Sequence, residues 1–167
     1  MAWVAGYVSR APRLLHNTIA RNRNGDGSGI HVTNFSGFFS TVSLTNTILV
    51  SHTVGITVTA GNTATLEGTL WGSGVWANGT PWGGGGAILT GTVNVFGDPG
   101  FISPLSGNYH ITLTPAAVDS GVNAGVTTDI DGESRPYGMG FDIGADEYQP
   151  PVVYKYSYLP VVLRQFP

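Results

Sequence analysis

The chain contains no cysteine. Disulfides, thiolate metal sites and a cysteine nucleophile are therefore excluded. Charge is almost as scarce, at 10% of 167 residues, against roughly 25% in an average globular protein. The formal net charge is −3 and Lys and Arg together number seven. That is too little basic surface to capture nucleic acid, and no nucleic-acid partner is expected. No run approaches the roughly 18 apolar residues that a bilayer span needs, so no transmembrane segment is expected. The opening residues, MAWVAGYVSRAPRLLHN, hold no clean apolar stretch followed by a small-residue cleavage site, and no signal peptide is read there.

What is abundant is glycine, 25 residues, about twice its ordinary use. Thr, Asn, Val and Ile are also plentiful. Low charge with glycine and β-branched residues favours many short strands joined by tight turns. The length suits one domain, or one domain with a tail, and is enough to bury a core.

The chain resembles itself at intervals. Leu15-His16-Asn17-Thr18-Ile19-Ala20 is echoed by Leu44-Thr45-Asn46-Thr47-Ile48-Leu49, and Leu66-Glu67-Gly68-Thr69-Leu70-Trp71 keeps the alternation. A second series runs through Gly29-Ile30-His31-Val32-Thr33, Gly55-Ile56-Thr57-Val58-Thr59 and Ala87-Ile88-Leu89-Thr90-Gly91. Short strands recurring every 20 to 30 residues or so are the signature of a solenoid, in which each repeat completes the core of its neighbour. The expectation is an all-β fold, a short parallel β-helix, with Ile19 stacked over Ile48 and then Leu70, and Asn17 over Asn46. A β-sandwich with accidental strand similarity is the alternative. The segment Arg21 to Gly29 reads as a turn, since one carboxylate, Asp26, is too few for a calcium loop.

Residues 71–86 read WGSGVWANGTPWGGGG and place Trp71, Trp76 and Trp82 in one glycine-rich protrusion. Flat aromatic faces suit pyranose rings, which makes these three candidate polysaccharide-binding residues. Equally, they anchor the loop on the wall. From Thr127 to Tyr148 charge gathers: Asp129, Asp131, Glu133, Asp142, Asp146 and Glu147 are six of the ten acidic residues, and Arg135 is among them. Asp129, Asp131 and Asp142 form a candidate calcium set. Asp129, Asp131 and Arg135 form a candidate catalytic set for a polysaccharide lyase or glycoside hydrolase. The third reading is structural: a turn closed by an ion pair from Arg135 to a carboxylate, with Asp119 and Asp142 bonding backbone amides. The four histidines show no metal-site spacing, and His16 is expected on the solenoid surface or in a ladder. There is no Gly-x-Ser-x-Gly elbow.

Three motifs in the last third carry a resemblance. Asp98-Pro99-Gly100-Phe101, Ala117-Val118-Asp119-Ser120-Gly121 and Asp142-Ile143-Gly144-Ala145-Asp146-Glu147 make this region similar to the closing module of bacterial surface β-helix proteins of the choice-of-anchor Q group. Those proteins are themselves pectate-lyase-like. The resemblance implies a right-handed solenoid and an extracellular or cell-surface location, and it implies no fixed activity. The organisation expected is therefore β-helix rungs over 1–96, a C-terminal rung and capping module over 97–148, and a tail strand or linker over 149–167. The function expected is a secreted or surface module that binds polysaccharide. The alternatives are a polysaccharide-cleaving enzyme of pectate-lyase-like form and a structural solenoid that assembles into a homo-oligomer through an exposed end near Trp3 to Leu15.

Overall fold

The computed structural model describes residues 11–22, 27–113 and 116–151. Ten strands follow in order: β1 Arg13–Ala20, β2 Ser28–Val32, β3 Thr41–Val50, β4 Val54–Val58, β5 Thr63–Gly72, β6 Thr80–Gly83, β7 Ala87–Thr90, β8 Asn94–Gly97, β9 Phe101–Ser103 and β10 Asn108–Ile111. The tail strand expected after residue 151 and the open end expected from Trp3 lie outside the described residues, as does the centre of the turn near Asp26.

The fold is all-β, and both of its larger sheets are parallel. One runs β1-β3-β5, with β7 and β8 sharing the far edge of β5; the other runs β2-β4-β6. The chain returns to the same sheet after 22 to 30 residues (Thr41 to Thr63, Arg13 to Ser43). Parallel pairing of this kind rules against the antiparallel β-sandwich. The strands are short and rich in Val, Ile, Leu and Thr, and their inward residues stack in columns: Leu14, Leu44, Leu66 in one and Leu49, Trp71, Phe96 in another. Ile30, Ile56 and Trp82 form a third column, on the second sheet. The buried members meet between the sheets in one cluster around Leu44, Leu49, Ile56, Leu66 and Trp71.

Three register expectations need correction. Ile19 pairs with Leu49 and Asn17 with Thr47, one residue away from the expected partners, whereas Ile48 does pair with Leu70. The strand at Ala87 belongs to the first sheet beside β5, and the place expected for it on the second sheet is taken by β6. The register from β1 to β3 is uniform, from Arg13 opposite Ser43 to Ala20 opposite Val50, and the long strands all bend at one shared place. His16, Asn46 and Gly68 occupy equivalent positions and all have positive φ, +51°, +53° and +63°. A left-handed residue in a strand breaks the two-residue alternation. On β3 before the bend, Val42 and Leu44 face the first cluster; after it Leu49 does, while Ile48 and Val50 face the other way. Asparagine tolerates this backbone, and glycine suits it. At Gly68 a side chain would also collide with the Asn46 amide oxygen below it.

Ile48, Val50 and Leu70 are covered by residues 97–148. They form a second buried cluster with Trp76, Ile111, Ala117 and Ile143. The C-terminal segment therefore clads a flank of successive strands. The last strands of the two sheets leave Phe96 60% and Trp82 45% exposed.

Asn46 fastens this cladding. Its Oδ1 accepts from Val122 N–H at 2.9 Å, its Nδ2 donates to the Val122 carbonyl at 2.6 Å and to His16 Nε2 at 3.0 Å, and its own carbonyl accepts from Gly144 N–H. Asn46→Gly keeps the left-handed backbone but strands the Val122 amide. We expect a loss of about 2 kcal/mol in urea unfolding. A loss within error of zero would mean that water replaces the side chain at no cost.

Candidate functional site

The carboxylates between 119 and 147 are largely engaged with backbone. Asp129 accepts from Asp131 N–H at 2.9 Å and Glu133 N–H at 2.8 Å on one oxygen, and from Glu147 N–H at 3.2 Å on the other. Asp119 accepts from Met139 and Gly140 N–H. Asp142, fully buried, accepts from Asp119 N–H at 2.7 Å and Tyr148 N–H at 2.6 Å. Burial pushes the Asp142 carboxyl up to about 6; the two amides oppose this, and the charges of Glu147 and Asp119 add to it. Arg135 and Glu147 form a buried ion pair at 2.8 Å. Arg135 also donates to the Gly144 carbonyl, and Glu147 also accepts from Tyr137 and Asp142 N–H.

This is the structural reading of the stretch: an ion pair from Arg135 and amide bonding by Asp119 and Asp142. The candidate catalytic set Asp129, Asp131 and Arg135 does not converge, because Arg135 points into the interior against Glu147. Nor do Asp129, Asp131 and Asp142 fit calcium as a set. The oxygens of Asp142 and Asp129 already serve amides, whereas Ca²⁺ takes six to eight oxygens from one cage.

A different group does converge. Asp131 meets His110 and Asp146, and one ligand-type atom from each lies within 4.8 Å of the others. Strand β10 positions the imidazole. Asn108 Oδ1 faces His110 Nδ1 at 2.6 Å and also accepts the His110 backbone N–H, while Nε2 faces Asp131 Oδ2 at 2.6 Å. Asp146 is buried, and its Oδ2 accepts from Ile111 N–H at 2.7 Å. Burial raises its pKa; the Ile111 amide and His110 oppose that rise, and Asp129 and Asp131 reinforce it. His110 and Asp146 stand between two hollows. One, about 400 Å³, is walled by Thr18, Ile19, Ala20, Tyr109, Ile130 and Ala145 among others. The second, about 460 Å³, reaches Ile102, Leu113, Glu133 and Tyr148.

The three tryptophans are not brought together as an exposed platform. Trp71 is 1% exposed inside the first cluster. Trp76 is buried in a 3-10 turn, Gly74–Trp76, under the guanidinium of Arg21 at 4.8 Å. Its ring meets Phe101 edge-on, and Phe101 meets Tyr109 likewise, both at 5.0 Å. This aromatic chain leads from the sheet to the cleft. Trp82 keeps an open face because it ends a column of core residues. His16 is buried, not on the surface, with its pKa lowered to about 4 by burial and then by the charge of Arg135.

Sequence reasoning did not single out His110 or Asp146 as partners. The one local signal was Asn108-x-His110 in an alternating strand, where both side chains share a face. Scans of family models, of curated proteins and of solved structures find no match to this chain.

Proposed function

We propose that this chain is a short right-handed parallel β-helix, secreted or displayed at a cell surface, and that it binds polysaccharide without cleaving it. The cleft of about 400 Å³ beside Tyr109 carries this reading. It pairs an aromatic and aliphatic wall with His110 and Asp146 at its edge. An apolar face with a few convergent polar groups is how proteins hold sugars and other small polar rings. The alternation of two parallel sheets along the chain supports the β-helix, and the right hand follows from the near-universal handedness of parallel crossovers. The engagement of Asp119, Asp129, Asp142 and Glu147 with amides supports binding over cleavage, since these carboxylates hold the chain's own backbone.

One observation favours a second reading. His110 and Asp131, 2.6 Å apart beside the second hollow, are a pair of the residue types used in acid–base catalysis, with Nε2 open to a substrate once Asp131 turns aside. In a polysaccharide-cleaving enzyme, His110 would be the basic residue of the site, in place of Arg135 in the candidate set.

Affinity electrophoresis through gels containing neutral and acidic polysaccharides tests both. We expect retardation by at least one polymer, lost in Tyr109→Ala, with no new reducing ends and no unsaturated uronates. Retardation by none would sink the binding reading. Product formation abolished in His110→Ala would establish the enzyme. Absence of both, with a particle size that grows with concentration, would leave a self-assembling solenoid.

A further inference from the structure

We propose that His110, Asp131 and Asp146 form a binding site for a single divalent transition-metal ion of the zinc class. The inference does not rest on the polysaccharide reading. It begins with the ligand atoms, an imidazole Nε2 and two carboxylates within 4.8 Å of one another. Ligands about 2.1 Å from a tetrahedral ion lie roughly 3.4 Å apart. Small side-chain rotations reach that spacing, because His110 and Asp131 are at the surface, with side chains 39% and 49% exposed.

The groups behind the ligands are arranged as metal sites require. A ligating histidine is normally oriented by an acceptor on its other nitrogen. Asn108 Oδ1 holds Nδ1 at 2.6 Å and leaves Nε2 directed at Asp131. Asp146 is fixed by the Ile111 amide, and one oxygen, Oδ1, has no role in that bond. Asp129 holds the backbone of Asp131 in place. Positioning therefore comes from a strand, a buried carboxylate and a closed turn, with an independent partner for each ligand. The two hollows on either side of His110 and Asp146 give an ion its route in and leave room for water in the remaining positions.

The chemistry selects the class of ion. One nitrogen and two carboxylate oxygens suit Zn²⁺ and its first-row neighbours, whereas Ca²⁺ seeks six to eight oxygens.

The test is equilibrium dialysis of the metal-free full chain against Zn²⁺ at neutral pH, with Ca²⁺ in parallel. We expect one Zn²⁺ per chain, micromolar or tighter, and at least tenfold weaker Ca²⁺. His110→Ala and Asp131→Asn, both at surface positions, should lose that Zn²⁺ while keeping the melting temperature of the metal-free protein. Asn108→Ala should weaken binding about tenfold, as loss of an orienting partner does. Zn²⁺ uptake that survives His110→Ala unchanged would overturn the assignment. So would Ca²⁺ binding as tightly as Zn²⁺, or no stoichiometric Zn²⁺ at all.

Discussion

Glu147→Ala is expected to lower stability by about 3–5 kcal/mol, the usual cost of breaking one half of a buried ion pair. Both side chains of the pair are fully buried. Removing Glu147 leaves the Arg135 guanidinium charged in the interior with, among the described residues, only the Gly144 carbonyl as acceptor. It also strands the amides of Tyr137 and Asp142, which lose their acceptors. For a chain of this length that corresponds to a fall in melting temperature of roughly 6–20 °C. Urea unfolding followed by tryptophan fluorescence would report it, since Trp76 belongs to the cluster that this segment covers. Arg135→Met should cost less than Glu147→Ala, because the Glu147 carboxylate it leaves unpaired still accepts from the Tyr137 and Asp142 amides, and fewer donors are orphaned. Equal stability of Glu147→Ala and the parent would show that water enters the pair and that the segment is not locked as described.

The second large effect is in pH dependence. Burial first, then the charges of Glu147 and Asp119, raise Asp142 to about 6 in the folded chain, against two opposing amide bonds. The folded state therefore holds that proton more tightly than the unfolded chain does. Its contribution to stability is fully present below the ordinary carboxylate pKa and is lost as pH rises through about 6. His16 runs the other way. Its pKa is lowered to about 4 by burial and by Arg135, so its contribution is present above the ordinary imidazole pKa and is lost as pH falls toward about 4. Each amounts to about 3 kcal/mol at most, and between pH 4 and 6 they oppose each other. His16→Asn, which tolerates the left-handed backbone and keeps an acceptor for Asn46, should remove one side of this balance. The stability of the variant relative to the parent should then rise by up to about 3 kcal/mol from pH 7 to pH 4. Urea midpoints across that range would show it, and using the difference between the two proteins cancels every other titrating group. Parallel curves would mean that His16 takes up its proton without leaving the folded state strained.

Much of the fold was legible because it depends on local pattern. Leu44, Leu66 and Leu70 fell in the expected columns, since period-two alternation is a property of the strand itself. The one-residue slip at Asn17 was not legible. The echo Leu-x-Asn-Thr-Ile implies one offset, but β1 and β3 pair one residue further on along their whole length, and the left-handed residues at His16 and Asn46 lie opposite each other and bend both strands alike. The tryptophans misled for a related reason. A glycine-rich stretch reads as a loop, yet Trp71 ends a strand and points into the core, because the strand before it fixes which way it faces.

At the candidate site the division is sharper. Composition alone excluded cysteine chemistry, and the spacing of acidic residues marked 127–148 as the place where charge is concentrated. The sequence by itself also offered, as one of three readings, a carboxylate paired with Arg135 and amide bonding by Asp119 and Asp142; the tertiary structure supplied the partners, since Asp119 accepts from Met139 and Gly140 and Asp142 accepts from Asp119 across the folded segment. Which carboxylate would face a histidine was decided only by tertiary structure. His110 lies 21 residues before Asp131 and 36 before Asp146, on a strand laid against a flank that three other strands build. No local rule connects positions so far apart; the packing of the C-terminal segment against Ile48, Val50 and Leu70 brings them within reach.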